Sequence, residues 1–187
     1  MFGIDIGITL SSISCVTKKD NVLDYRLLFG DTKNQDQWTR AKHMADAIVD
    51  SIRDIHKSHP DRIIEPWITI EEPVSSYRSN AKSQATMVML YTMIRRKLEA
   101  NQYYIVSIHP LTVKAFTRRL IFGEKKLKEK NANKMGQLTK TGMVLAYKKV
   151  FKKEPNFRTI KGRETLADSY WIARAGKDKL NAAKEII

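Results

Sequence analysis

Phe2-Gly3-Ile4-Asp5-Ile6-Gly7-Ile8-Thr9-Leu10 is an apolar, strand-like run interrupted by one carboxylate. A central strand has no packing use for Asp5, because burying an unpaired charge costs several kcal/mol. Something must compensate it. Working outward, Ser12–Thr17 and Val22–Phe29 read as two further strands, with Lys18-Lys19-Asp20-Asn21 as the turn between them. Three strands joined so closely form an antiparallel meander.

Beyond the meander the periodicity changes. From Gln35 to His59, Trp38, Ala41, Ala45, Ile48, Ile52 and Ile55 recur every three or four residues, the spacing of a core-facing helix, and Pro60 ends it. Ile63–Glu71 reads as a strand, Asn80–Ala100 as a helix and Tyr103–Ile108 as a strand. Leu111–Leu120, Thr139–Phe151 and Glu164–Ala175 read as helices, with the Lys-rich stretch Gly123–Lys134 as a mobile loop. The order predicts an α/β fold, a mixed five-stranded sheet flanked by helices, and resembles the ribonuclease H-like fold. No repeat or linker divides the chain, so residues 1–187 are expected to form one domain.

The formal charge of +14 is unevenly spread. Lys114 to Arg163 holds sixteen Lys and Arg against three acids, whereas the rest of the chain holds 18 against 17. Confinement of the surplus to one segment points to a polyanionic partner, nucleic acid first, rather than to a generic solvated surface. Cys15 is the only cysteine, which excludes an internal disulfide and a Cys-rich metal site and suits a reducing interior. No apolar run approaches the roughly 20 residues of a membrane span, and the chain opens on a strand-like segment rather than a leader. It is therefore expected to be soluble, unprocessed and free of membrane, in the cytoplasm.

Two more acids sit at the border of apolar segments. Glu71 ends the run Trp67-Ile68-Thr69-Ile70, with Glu72 beside it as a competitor, and Asp168 lies among Leu166, Ala167, Tyr170, Trp171 and Ile172. Glu164 precedes Asp168 by four residues, so both project from one side of a helix. Carboxylates without a Cys or His ligand pattern suit hard cations such as Mg²⁺, with Mn²⁺ as its substitute. Two such ions about 3.5–4 Å apart support in-line phosphoryl displacement. The four histidines, His43, His56, His59 and His109, show no ligand spacing and are expected to be structural or superficial.

Four short motifs carry a family resemblance. Gly3-Ile4-Asp5-Ile6-Gly7, Ile68-Thr69-Ile70-Glu71, Pro110-Leu111-Thr112-Val113-Lys114 and Leu166-Ala167-Asp168-Ser169 resemble, in order and spacing, the RuvC-type Holliday junction resolvases. The resemblance implies an Mg²⁺-dependent endonuclease that cuts four-way junctions and other branched DNA, acting as a homodimer. It implies Asp5, Glu71 and Asp168 as metal ligands, and Lys114 with either Lys140 or Lys134 against the scissile phosphate. Where bacterial members carry another Asp three residues before the last ligand this chain has Thr165, and Glu164 is the substitute. Arg118, Arg119, Lys125, Lys126, Lys128 and Lys134 are expected to contact DNA. The family's junction-distorting aromatic is not in place at Val74, which leaves Tyr77 as the nearest candidate. Members of the family dimerise through the helix corresponding to Asn80–Ala100.

Two rival readings use the same residues. Gly3-Ile4-Asp5-Ile6-Gly7-Ile8-Thr9 also resembles the first phosphate loop of actin-like ATPases and sugar kinases, but the second nucleotide-binding half is missing. The other rival is a ribonuclease H-like module that binds nucleic acid without cutting it, against which Asp5, Glu71 and Asp168 argue.

Overall fold

The computed structural model describes residues 1–30, 36–62, 64–73, 81–123, 128–133, 137–153 and 155–184. Strands β1 (Phe2–Asp5), β2 (Leu10–Val16), β3 (Val22–Phe29), β4 (Trp67–Glu71) and β5 (Tyr104–Ile108) form one sheet in the order β3-β2-β1-β4-β5. β1–β2 and β2–β3 are antiparallel, and β1–β4 and β4–β5 are parallel. The first strand is thus the central one, and this is the expected ribonuclease H-like mixed sheet. Helices α1 (Gln37–Ser58) and α2 (Ala81–Ala100) cover one face. Helices α3 (Pro110–Phe122), α4 (Lys140–Phe151) and α5 (Ile160–Lys184) cover the other.

Strand alternation sorts the side chains between those two faces. Phe2, Ile4, Ile13 and Cys15 join Ile48, Ile52, Leu90 and Ile94 in the core beneath α1 and α2. The opposite positions are small: Gly3, Ser12 and Ser14. They let α5 lie almost on the backbone of the sheet. Ser12 Oγ donates to Thr165 O at 2.7 Å, and the Ser14 and Ser169 hydroxyls are 2.7 Å apart. A Cβ at Gly3 would collide with Ser169 O and Ala173 N, both backbone atoms.

Several boundaries differ from the expected ones, each for a local reason. β1 ends at Asp5 rather than running to Leu10, because Gly7 and Ser11 close a turn: Gly7 N donates to Ser11 Oγ at 2.9 Å, and Ser11 Oγ donates to Gly7 O at 2.8 Å. β4 is confined to Trp67–Glu71, after Pro66. The last helix runs well past Glu164–Ala175 at both ends, and Thr159 Oγ1 accepts from Gly162 N at its start. Trp38 is 58% exposed and not part of the core, although Ala41, Ala45, Ile48, Ile52 and Ile55 are buried as expected. The second half of the expected mobile loop is anchored: Glu129–Asn131 is a 3-10 turn, and Ala132 bridges Leu138. Among the described residues no helix is long and apolar enough to cross a membrane.

Replacing Gly3 with Ala must push α5 off the sheet, and overpacking of this kind costs about 1–3 kcal/mol. Thermal melting of Gly3→Ala should fall clearly below that of the parent. An unchanged melt would mean that α5 is not held against β1 as closely as described.

Candidate active site

Five elements bring charged side chains to one end of the sheet. Asp5 ends β1 and Glu71 ends the neighbouring parallel strand β4. Asp168 comes from α5, placed by the contacts of Thr165 and Ser169 with β2. Lys114 stands on α3, whose start is set by His109 as N-cap and Pro110 in the first turn. Lys140 opens α4, where the Thr139 hydroxyl caps Gly142 N at 3.1 Å. Gly142 lets the helix start sit against Asn131 O of the 3-10 turn.

These five residues line one cavity of about 100 Å³, together with Pro110, Val113, Met143 and Ile172. The four apolar neighbours exclude water from one side of it. Lys140 Nζ lies 3.5 Å from Asp168 Oδ2, with the Asp168 side chain only 17% exposed. Burial raises the pKa of Asp5 well above its ordinary value, and Asp168 and Glu71 push it further, against the pull of Lys140. Burial and then Asp168 lift Glu71 to about 7, opposed by Lys114 and Lys140. Asp168 is pushed up to about 6, chiefly by burial, with Lys140 the main opposing influence. Burial pulls the Lys140 ammonium down, but Asp168 and Asp5 more than offset it, and its pKa is raised. The carboxylates repel one another in a dry setting, and two lysines offset them only in part.

An oxygen-only donor set with uncompensated negative charge fits a hard divalent cation. Among the described residues no three His, Cys, Asp or Glu side chains stand close enough together to hold a metal ion as they are placed. The carboxylates surround the cavity rather than closing on one point.

The remaining candidates fall into three groups. Glu164, half-buried one turn before Asp168, is near enough to raise both Asp168 and Lys140 but does not line the cavity. Arg119 is exposed and turned towards Asp178 at 3.9 Å, well down α5 from Asp168, whereas Arg118 is half-buried and Lys128 exposed. Tyr77, Lys125, Lys126 and Lys134, with Val74, lie outside the described residues. Sequence reasoning missed the wall residue Met143, whose signal is its position three residues after Lys140 on one helix face. The histidines are structural or superficial: His109 caps α3, His56 packs between Phe2 and Tyr103, His59 faces Asp24 at 3.3 Å, and His43 is exposed.

No protein-family model matches the chain, and no curated protein matches it by sequence. Solved structures do. The chain superimposes on Thermus thermophilus RuvC in complex with a Holliday junction substrate with a TM-score of 0.63 at 13% identity, covering 96% of this chain and 94% of that one. A second Thermus thermophilus RuvC structure gives 0.58 at 16% identity over 94% of this chain and 97% of that one. The yeast mitochondrial Holliday junction resolvase gives 0.51 at 16% identity over 100% of this chain and 83% of that one. The likeness establishes the fold.

The raised carboxyl pKa values set a pH dependence of stability. The folded protein binds these protons more tightly than the unfolded chain, so protonation favours folding. That contribution is fully present below the ordinary values of 3.8 and 4.5, and is lost as pH rises through about 6 for Asp168 and about 7 for Glu71. With divalent ions chelated, the protein should melt at a higher temperature near pH 5.5 than near pH 8, and Glu71→Gln combined with Asp168→Asn should flatten the difference. Equal melting of the parent at both pH values would show that these carboxyls are not buried together.

Proposed function

We propose that this chain is a structure-selective endonuclease that cuts Holliday junctions and other branched DNA by metal-dependent phosphodiester hydrolysis. The observation that carries the proposal is the convergence of Asp5, Glu71 and Asp168 with Lys114 and Lys140 on one cavity. Supporting it are the basic segment that contributes both lysines and the fold shared with a protein solved on a Holliday junction. Asp5, Glu71 and Asp168 would hold Mg²⁺, or Mn²⁺ in its place, with Glu164, one turn before Asp168 on α5, as the further carboxylate. When bound, a pair of such ions activates water and stabilises the leaving oxygen of phosphoryl transfer.

The chain's own groups have separable tasks. Pro110, Val113, Met143 and Ile172 keep water from one side of the cavity, which strengthens every charge interaction within it. Lys140, held by Asp168, and Lys114 on α3 present cations to a phosphate entering between α3 and α4. Cations placed in advance cost no reorganisation when negative charge develops. Lys128 and the other lysines of its segment attract the DNA backbone without reading sequence.

A four-way junction requires two symmetric cuts, and a homodimer supplies two active sites. Helix α2 supports that assembly. Its inner stripe, Leu90, Ile94 and Leu98, is buried, yet Val88 on the outer side is 50% exposed. Sedimentation at micromolar concentration should give a dimer, and Val88→Asp should shift it towards monomer; a monomer in both would remove the paired-cut geometry.

The direct test of activity is incubation with Mg²⁺ and synthetic junction, fork, duplex and single-stranded DNA, followed by mapping of the cuts. Paired cuts near the branch point are expected. Asp5→Asn, Glu71→Gln and Asp168→Asn should each lose several orders of magnitude of cleavage while still binding junctions. Cleavage by Asp5→Asn at the parent rate would sink the assignment.

The lysines divide into two classes by the quantity they change. Lys114→Ala and Lys140→Ala should slow single-turnover cleavage at saturating DNA by about 10²–10³-fold. Lys128→Ala should instead weaken binding and lower the salt slope by about 0.9 for a lost phosphate contact. If Lys114→Ala and Lys140→Ala changed only affinity, both would belong to the binding surface.

A further inference from the structure

On the sheet face that carries Asp5, two phenylalanines meet at the surface. Phe29, the last residue of β3, is 68% exposed, and its ring centroid lies 6.2 Å from that of Phe157. Phe157 packs against α5 at Gly162, where a Cβ would run into its ring. Ile160, the first residue of α5, is also 68% exposed, and Arg158 and Lys161, close to Phe157 in sequence, are both exposed. So much apolar surface on a face outside the core calls for a partner.

The register places this patch next to the carboxylates. Asp5 pairs with Ser12, Ser12 with Leu27, and Phe29 is two residues further on the same face. Two strand spacings and two residues put Phe29 roughly 12 Å from Asp5. Along α5, Ile160, Glu164 and Asp168 follow at intervals of four, so Ile160 lies on the same side as Asp168, about 12 Å away. The patch thus lies on the same sheet face as the carboxylates, roughly 12 Å from Asp5.

We propose that Phe29 and Phe157 form a stacking platform for a nucleobase exposed at the branch point of the bound DNA. The proposal rests on the nuclease reading above. Charge supports this occupant over an apolar protein segment, since Phe157 belongs to the basic segment and the exposed Arg158 and Lys161 lie close to it in sequence. Arg158 and Lys161 hold the backbone on either side of the base, and the rings take its face, which every base presents whatever its sequence. A fully paired duplex exposes no such face along its length, so the platform favours branched over linear DNA.

The test measures binding in chelator, where the parent cannot cut, to a four-way junction and to a duplex of equal length. Stacking on an aromatic ring is worth about 1–3 kcal/mol per base, or roughly 5- to 150-fold in affinity. Phe29→Ala should weaken junction binding within that range and leave duplex binding within about twofold. Phe29→Leu, which keeps an apolar group but no ring, should behave like Phe29→Ala, whereas Phe29→Trp should bind like the parent. Because Phe29 is exposed, all three variants should melt like the parent.

Junction affinity unchanged in Phe29→Ala would overturn the proposal while leaving the nuclease reading intact, provided the parent cuts junctions with Mg²⁺. Parent-like binding by Phe29→Leu would replace stacking by a plain apolar contact and overturn it too. A Phe29→Ala protein that loses self-association rather than junction affinity would assign the patch to a second copy. A parent that neither binds nor cuts junctions would remove both readings together.

Discussion

Three half-buried carboxylates around one cavity set the terms for the rest of this molecule. Asp5 reaches that place because the first strand is the middle of the sheet, with β2 on one side and β4 on the other. The parallel pairing of β1 with β4 then sets Glu71 at the same end. Asp168 arrives only because α5 lies nearly on the backbone of β1 and β2, an approach that Gly3, Ser12 and Ser14 permit and that any larger side chain would block.

That arrangement works against folding. Each carboxyl is pushed upward by burial and by its neighbours, and Lys114 and Lys140 soften the repulsion without removing it. Apolar walls at Val113, Met143 and Ile172 deepen the cost by excluding water. A site of this kind persists where function needs the charge concentrated, with the stability supplied elsewhere. Here it comes from the two cores, one on each face of the sheet.

Much of this was legible in the sequence because the acids break patterns. Asp5 interrupts an apolar strand, Glu71 terminates one, and Asp168 borders the apolar face of a helix, so composition and periodicity alone mark all three. Lys114 and Lys140 carry no such mark in a segment full of lysines, and the family resemblance singled them out. The closeness of α5 was hidden, since Ser12 and Ser14 in a strand look merely polar until a helix is known to lie over them. Trp38 misled because helical spacing fits it as well as its buried neighbours, and only the packing of α1 turns it outward. The Phe29–Phe157 pair joins residues far apart in sequence and could not be foreseen without the placement of β3 against the start of α5. Tyr77, Lys125, Lys126 and Lys134 lie outside the described residues, so the fold adds nothing to their reading.

The central claim is that these carboxylates are gathered to take a divalent cation, and it can be tested without DNA. Free Mn²⁺ gives an electron paramagnetic resonance signal that disappears on binding, so titrating the protein near pH 7.5 counts the ions taken up. The account predicts uptake by the parent with a rise in melting temperature, and loss of both in Asp5→Asn and Asp168→Asn. A parent that binds no Mn²⁺, or an Asp5→Asn variant that binds it equally well, would contradict it.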